Sequence, residues 1–156
     1  IKGGLIFYGK GNCASCHSGP LFSDLNFYSI PFPQIGFGKN GFGVDYGKFN
    51  VTFNPDDLYK FRTPPLYNVE NTFPYSHSGS VYDLKESIIY HFDPLRNYKP
   101  EEYSEIDRNE YYKKLTSSGS EMELIPYLDD NELDNLVDFL KTLSFPSKDQ
   151  KLTKAN

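Results

Sequence analysis

Gly9-Lys10-Gly11-Asn12-Cys13-Ala14-Ser15-Cys16-His17 is the stretch on which the reading of this chain turns. It holds both cysteines and one of the three histidines. Two thiols three residues apart, on one turn of helix, can each add to one of the two vinyl groups of a haem. The next residue then brings an imidazole under the ring, where it can bind iron. C-x-x-C-H is the attachment signal of c-type haem. The competing readings fit less well. A zinc site needs four ligands, and the sequence has no second C-x-x-C or H-x3–5-H pair. His77 and His91 lie 14 residues apart and reach a common site only through tertiary folding. A thioredoxin-like pair needs a βαβ setting, and nothing around residues 1–30 has that pattern. A plain disulfide leaves His17 without a role.

The composition outside the motif agrees. The chain has 156 residues, enough for one domain of ordinary size. Only 38% of them are hydrophobic, and the apolar mass is concentrated in 13 Phe and 13 Tyr, with no Trp and one Met. A chain so short of aliphatic side chains gains from a large apolar cofactor. The net charge of −5 repels phosphate, which argues against a nucleic-acid partner or an anionic membrane surface. No apolar stretch approaches the roughly 18 residues of a membrane span. Ile1 follows no Met, basic n-region or signal-type core, so the sequence reads as a mature protein or a piece of a longer one.

Periodicity places the elements. Ile1, Leu5 and Tyr8 fall at i, i+4, i+7, with Ile6 beside them, and predict a short amphipathic helix ended by Gly11. Residues 18–55 are rich in Gly, Pro, Asn and aromatics and read as loop wrapped on something flat and apolar; Lys48 to Phe53 alternates enough for a short strand. Asp83 with Glu86 forms a capping box before a helix with Leu84, Ile88 and His91 on one face, stopped by Pro94. Residues 97–120 are charged and Tyr-rich, a surface helix or an insertion anchored by Tyr103, Ile106 and Tyr111-Tyr112. Asp129 and Glu132 cap a last helix with the stripe Leu133, Leu136, Val137, Leu140, Leu143, ended by Pro146. The predicted fold is all-α and cytochrome c-like over 1–146, with long loops, allowance for a short β-hairpin, and a polar tail over 147–156.

A family resemblance covers most of the chain from Gly3 to Leu143. GKGNCASCHSGPLFSD (9–24) resembles the start of the second haem domain of bacterial di-haem cytochrome c peroxidases, whose superfamily includes the MauG-like enzymes. DYGKFNVT (45–52) is similar to the family's D-x-G-R-x-x-V-T. FRTPPLYNV (61–69) is similar to F-[RK]-T-P-x-L-R-N-V, and PYSHSG (74–79) to P-Y-x-H-x-G. The ending LDDNELDNLVDFLKTL (128–143) resembles the family's final helix. Departures are Phe27-Tyr28-Ser29 for F-H-N, Tyr67 for an Arg, and the charged segment 97–120. The family's enzymes carry two haems in two domains, whereas this chain has one attachment motif. The resemblance is therefore to the C-terminal half, expressed alone or processed from a longer chain.

The site residues follow. His17 is the proximal ligand, its second ring nitrogen donating to a backbone carbonyl, at Pro20 or a near neighbour. In the family the sixth ligand, Met or Tyr, lies 14 residues past the His of P-Y-x-H-x-G. Counting from His77 gives His91, which also shares a helix face with Leu84 and Ile88, while Tyr90 points about 100° away. A core histidine bonded to a carbonyl, or ligation by Met122, are the other readings. His77 is expected to be structural, bonding a propionate or a loop carbonyl. Arg62 either neutralises a propionate or is solvated. The resemblance also implies a calcium ion between the two domains, through backbone carbonyls at Thr72 and Pro74, with one ligand supplied by the other domain. By resemblance the protein is the haem c electron-transfer domain of a peroxidase-like oxidoreductase. It would take electrons from a small soluble donor such as a cytochrome or cupredoxin and pass them to a peroxidatic haem in an N-terminal domain. Alone it would be weakly active or inactive. A free-standing monohaem carrier or a haem sensor is the alternative. Haem attachment places the protein in the periplasm or another extracytoplasmic setting.

Overall fold

A computed structural model describes residues 1–35 and 43–145 of the chain. The frame is a crossing of two terminal helices, α1 (Lys2–Tyr8) and α6 (Asp130–Lys141). Both capping-box bonds of α6 are present: Glu132 N–H donates to Asp129 Oδ1 at 2.9 Å, and Asp129 N–H to Glu132 Oε2 at 3.0 Å. Leu133, Leu136 and Leu140 form its buried stripe, as the periodicity predicts, with Val137 and Leu143 half-buried. They pack with Phe7, Val69, Ile89 and Leu128 in the main core. Each such side chain contributes roughly 1.5–3 kcal/mol by burial.

The face of α1 differs from the expected one. Ile1, Leu5 and Tyr8 are exposed, and Gly3 and Phe7 are buried. Gly3 decides this. A Cβ there would overlap the Asn135 carbonyl oxygen and stand 2.7 Å from Phe139 Cβ, so only glycine lets the two backbones approach this closely. Apolar periodicity cannot register a glycine, and so it selected the opposite face.

The strand expected over Lys48–Phe53 is instead a single helical turn, α2 (Phe49–Thr52). Gly47 enters it at φ +65°, and Asp45 Oδ1 accepts from both Gly47 N–H (2.8 Å) and Asn50 Nδ2 (2.7 Å). This side-chain turn outcompetes the weak alternation, whose Val51 and Phe53 are exposed. Among the described residues the strands are two residues long. β1 (Phe27–Tyr28) pairs antiparallel with β2 (Phe61–Arg62), with Phe27 opposite Arg62 and Tyr28 opposite Phe61. They are joined by the long segment carrying α2, so the pair is not a hairpin.

Helix α3 (Leu84–Ile89) starts at Asp83, whose Oδ1 accepts Glu86 N–H at 2.8 Å. This is a cap without the reciprocal bond of a box. The helix ends before Tyr90 rather than at Pro94, continuing in turns closed by Ile88 O and Ile89 O. It lies between two cores: Leu84 and Ile88 pack on the main core, and Tyr90 joins a second one with Val81 and Tyr111.

The charged segment forms α4 (Glu105–Ser117) and α5 (Gly119–Met122). Helix α4 has no apolar stripe. Its inward positions are Tyr111 and Lys114, followed by Ser118 at its end, and all three are buried. Ile106 and Tyr112, expected as anchors, are exposed. Among the described residues no helix is long and apolar enough to cross a membrane. The stop at Pro146 and the tail 147–156 lie outside the described residues.

Candidate haem-binding site

The site begins where α1 ends. Gly11 N–H donates to Ile6 O at 2.7 Å, and Asn12, left-handed at φ 51°, reverses the chain while its Nδ2 donates to Leu124 O at 2.9 Å. Gly11 has no room for a side chain, since a Cβ would lie 2.8 Å from Ile6 O. Cys13–Ser15 then makes one 3-10 turn, with Cys16 N–H (3.3 Å) and His17 N–H (2.9 Å) both donating to Cys13 O. Two thiols and an imidazole thus occupy successive corners of one tight turn. Both cysteines are free and half-buried. Burial, with a smaller effect from the neighbouring Cys16, pushes the Cys13 thiol up to about 11.

His17 is held through Nδ1, which donates to Phe22 O at 3.0 Å. The acceptor is thus a carbonyl of the kind expected, two residues beyond Pro20. Phe22 itself is left-handed at φ 51°. A non-glycine residue in that region costs roughly 1–2 kcal/mol, and here the conformation aims a carbonyl at the histidine. Burial lowers the His17 pKa, opposed by the Phe22 carbonyl and the Asp24 carboxylate.

His91 follows α3 in the first turn after it, its N–H donating to Ile88 O at 3.0 Å. It repeats the pattern of His17: Nδ1 lies 2.9 Å from Ser87 O. Burial and the charge of His17 push its pKa down to about 4. Burial thus favours the neutral form of both imidazoles. In each, the tautomer fixed by a carbonyl at Nδ1 leaves the Nε2 lone pair available to a metal.

The other two expected residues stand apart. His77 is exposed, with Nε2 2.7 Å from Asp45 Oδ2 and its ring stacked on Phe61 at 4.0 Å. Its partner is a carboxylate, not a loop carbonyl, because the chain from Asp45 folds back beside the 74–79 turn. Arg62 is exposed on β2 and makes no ion pair among the described residues. Sequence reasoning missed Asp24 and Tyr28. Asp24 N–H donates to Cys16 O at 2.8 Å, and the Tyr28 hydroxyl donates to Asp24 Oδ2 at 2.7 Å. The only signal was the departure of Tyr28 from the family's F-H-N. Among the described residues no three His, Cys, Asp or Glu side chains converge on a metal site.

The surroundings suit a flat apolar ring. Half-buried Phe22, Leu66, Leu84, Ile88 and Phe92 line the same core as Cys13 and Ala14. Two imidazoles, two free thiols on one turn and apolar walls are chemically suited to a haem.

No family model matches the chain. It is 34% identical over 113 residues to a cytochrome-c peroxidase of Denitromonas iodatirespirans, covering 58% of this chain and 30% of that protein. It is 32% identical over 128 residues to the methylamine utilization protein MauG of Methylorubrum extorquens, covering 77% and 34% respectively. Among solved structures, a MauG-like protein associated with microbial copper homeostasis superposes with a TM-score of 0.69 at 27% identity, over 94% of this chain and 46% of that one. The chain thus spans about a third of the length of the curated relatives it matches.

Proposed function

The chain is a relative of the cytochrome-c peroxidases and MauG proteins, matching part of their length, and on that footing we propose that it is the electron-accepting haem c domain of a larger oxidoreductase. Cys13 and Cys16 would hold one haem covalently, and His17 and His91 would be the ligands of its iron. The iron of that group supplies a one-electron couple. The protein's own residues determine what the couple can do. The Phe22 and Ser87 carbonyls fix both imidazole tautomers with Nε2 available to iron. Two protein ligands exclude peroxide and keep the geometry similar in both oxidation states, which suits electron transfer more than peroxide cleavage. Two imidazoles also favour the ferric form more than a His/Met pair does, so a low potential is expected.

Electrons would come from a small soluble donor, a cytochrome or a cupredoxin, and pass to a peroxidatic haem in another domain. Attachment of haem c places the protein outside the cytoplasm. The observation that carries this reading is the C-x-x-C turn with its carbonyl-bonded His17, together with a second imidazole, His91, held by a carbonyl in the same way. The test is production in a host competent for haem attachment. The colour should stay with the protein through acid-acetone extraction, and the spectrum should be low-spin without a sulfur-to-iron charge-transfer band. His91→Gly should turn high-spin with the haem still attached. A colourless protein, or an unchanged low-spin spectrum in His91→Gly, would overturn the assignment.

A further inference from the structure

Helix α4 belongs to the segment with no counterpart in the family motifs, and its buried face is polar. Lys114 is 3% exposed. Withdrawing an ammonium from water costs several kcal/mol unless it is well partnered. A leucine or methionine would fill the same position on the helix at no such cost. The lysine is instead aimed: Nζ donates to Phe32 O at 2.9 Å and stands 5.2 Å from the centre of the Phe61 ring, a cation–π contact.

Phe32 is pinned on both sides. Ser29 Oγ meets Ser118 Oγ at 2.7 Å, and Ser78 Oγ donates to Pro33 O at 3.0 Å. Its ring stands edge-on to the His91 imidazole, with centroids 5.7 Å apart at 86°, and rests on Tyr90 at 5.1 Å. Two contacts that orient His91 are the Ser87 carbonyl at Nδ1 and the Phe32 ring. The second is placed from α4.

We propose that Lys114 is a positioning residue for His91: by fixing the Phe32 carbonyl it sets the ring that holds the imidazole on the iron. The proposal rests on His91 being an iron ligand. Residues that orient a metal ligand in this way typically change metal affinity about 10- to 100-fold when removed. Lys114→Met removes the donor, leaves the Phe32 carbonyl without it, and lets the ring drift.

The test uses the ferric haem-loaded protein and the rate at which cyanide displaces His91, followed by stopped-flow absorbance. Lys114→Met and Phe32→Leu should each raise that rate about tenfold, and the double variant should exceed neither by much, because both act through one ring. Tyr59→Phe, which removes the hydroxyl bond to Glu110 of α4 without touching Phe32, should leave the rate unchanged. A Lys114→Met rate within twofold of wild type, or a double variant showing the product of the single effects, would overturn the proposal. If Lys114→Met does not fold, Phe32→Leu carries the test alone, and no rise in its rate overturns it equally. Failure of the underlying reading shows separately, as a His91→Gly protein that stays low-spin.

Discussion

Two adjacent glycines of α1 should respond to the same substitution with opposite signs. In Gly3→Ala the new methyl runs into the Asn135 carbonyl and stands 2.7 Å from Phe139 Cβ. Carbon pairs settle at about 3.5–4.0 Å, so α1 must withdraw from α6 by about 1 Å. A gap of that size forfeits about a quarter to a half of each dispersion contact across it. Phe7, Leu136 and Leu140 belong to the core this crossing closes, and each is worth roughly 1.5–3 kcal/mol. Losing about a third of that sum removes about 1.5–3 kcal/mol, and the better helix propensity of alanine returns about 1 kcal/mol. The net loss is about 0.5–2 kcal/mol. In Gly4→Ala the nearest atoms, on the Phe139 ring, lie at 3.6 and 3.7 Å, ordinary contact distances. Only the propensity gain remains, so this variant should be more stable by up to about 1 kcal/mol. Guanidinium unfolding of the haem-loaded protein, read at constant m-value, measures both. Equal stability of the two variants would refute the close-approach argument.

Removing the α6 cap with Asp129→Ala should cost about 1 kcal/mol in the same assay, and Asp129→Asn much less. Burial pushes the Lys114 ammonium down to about 8, against the pull of Asp45, so the unfolded chain binds the proton more tightly than the folded one. Stability should therefore rise as pH climbs from about 8 towards 10, and in Lys114→Met this rise should vanish; parallel curves for the two proteins would contradict the burial. Burial pushes the Asp24 carboxyl up, but hydrogen bonds, led by the one from Tyr28, outweigh it and hold the pKa low. Tyr28→Phe should move it upward in a carboxylate NMR titration.

What could be read in advance divides along physical lines. The turn Cys13–His17 and the helix from Asp129 were legible because their signals are local: fixed spacings, a capping pair and a leucine period. The buried face of α1 was not, because it is set by the absence of a side chain at Gly3, which periodicity cannot weigh. The turn over Phe49–Thr52 was misread because Asp45, four residues upstream, supplies the bonds that curl it. His91 was singled out by spacing and helix face together, and the structure places it in the turn just beyond α3. Its supports were not, since Ser87 acts through a carbonyl and Phe32 lies far away in the chain. Lys114 looked like part of a solvated face because charge in sequence says nothing of burial.

The crossing of α1 and α6 also has a consequence in time. It joins residues 2–8 with residues 130–141, nearly the whole length of the chain. Contacts of such separation form late, because the loop between them must first be closed. Cys13 and Cys16 follow α1 directly, so they are synthesised long before the helix that completes the core around them. Until α6 is made, the core against which Cys13 packs is incomplete. On the proposed reading, the order of the chain leaves the Cys13–His17 turn accessible while a haem is joined to it, and α6 closes the core afterwards.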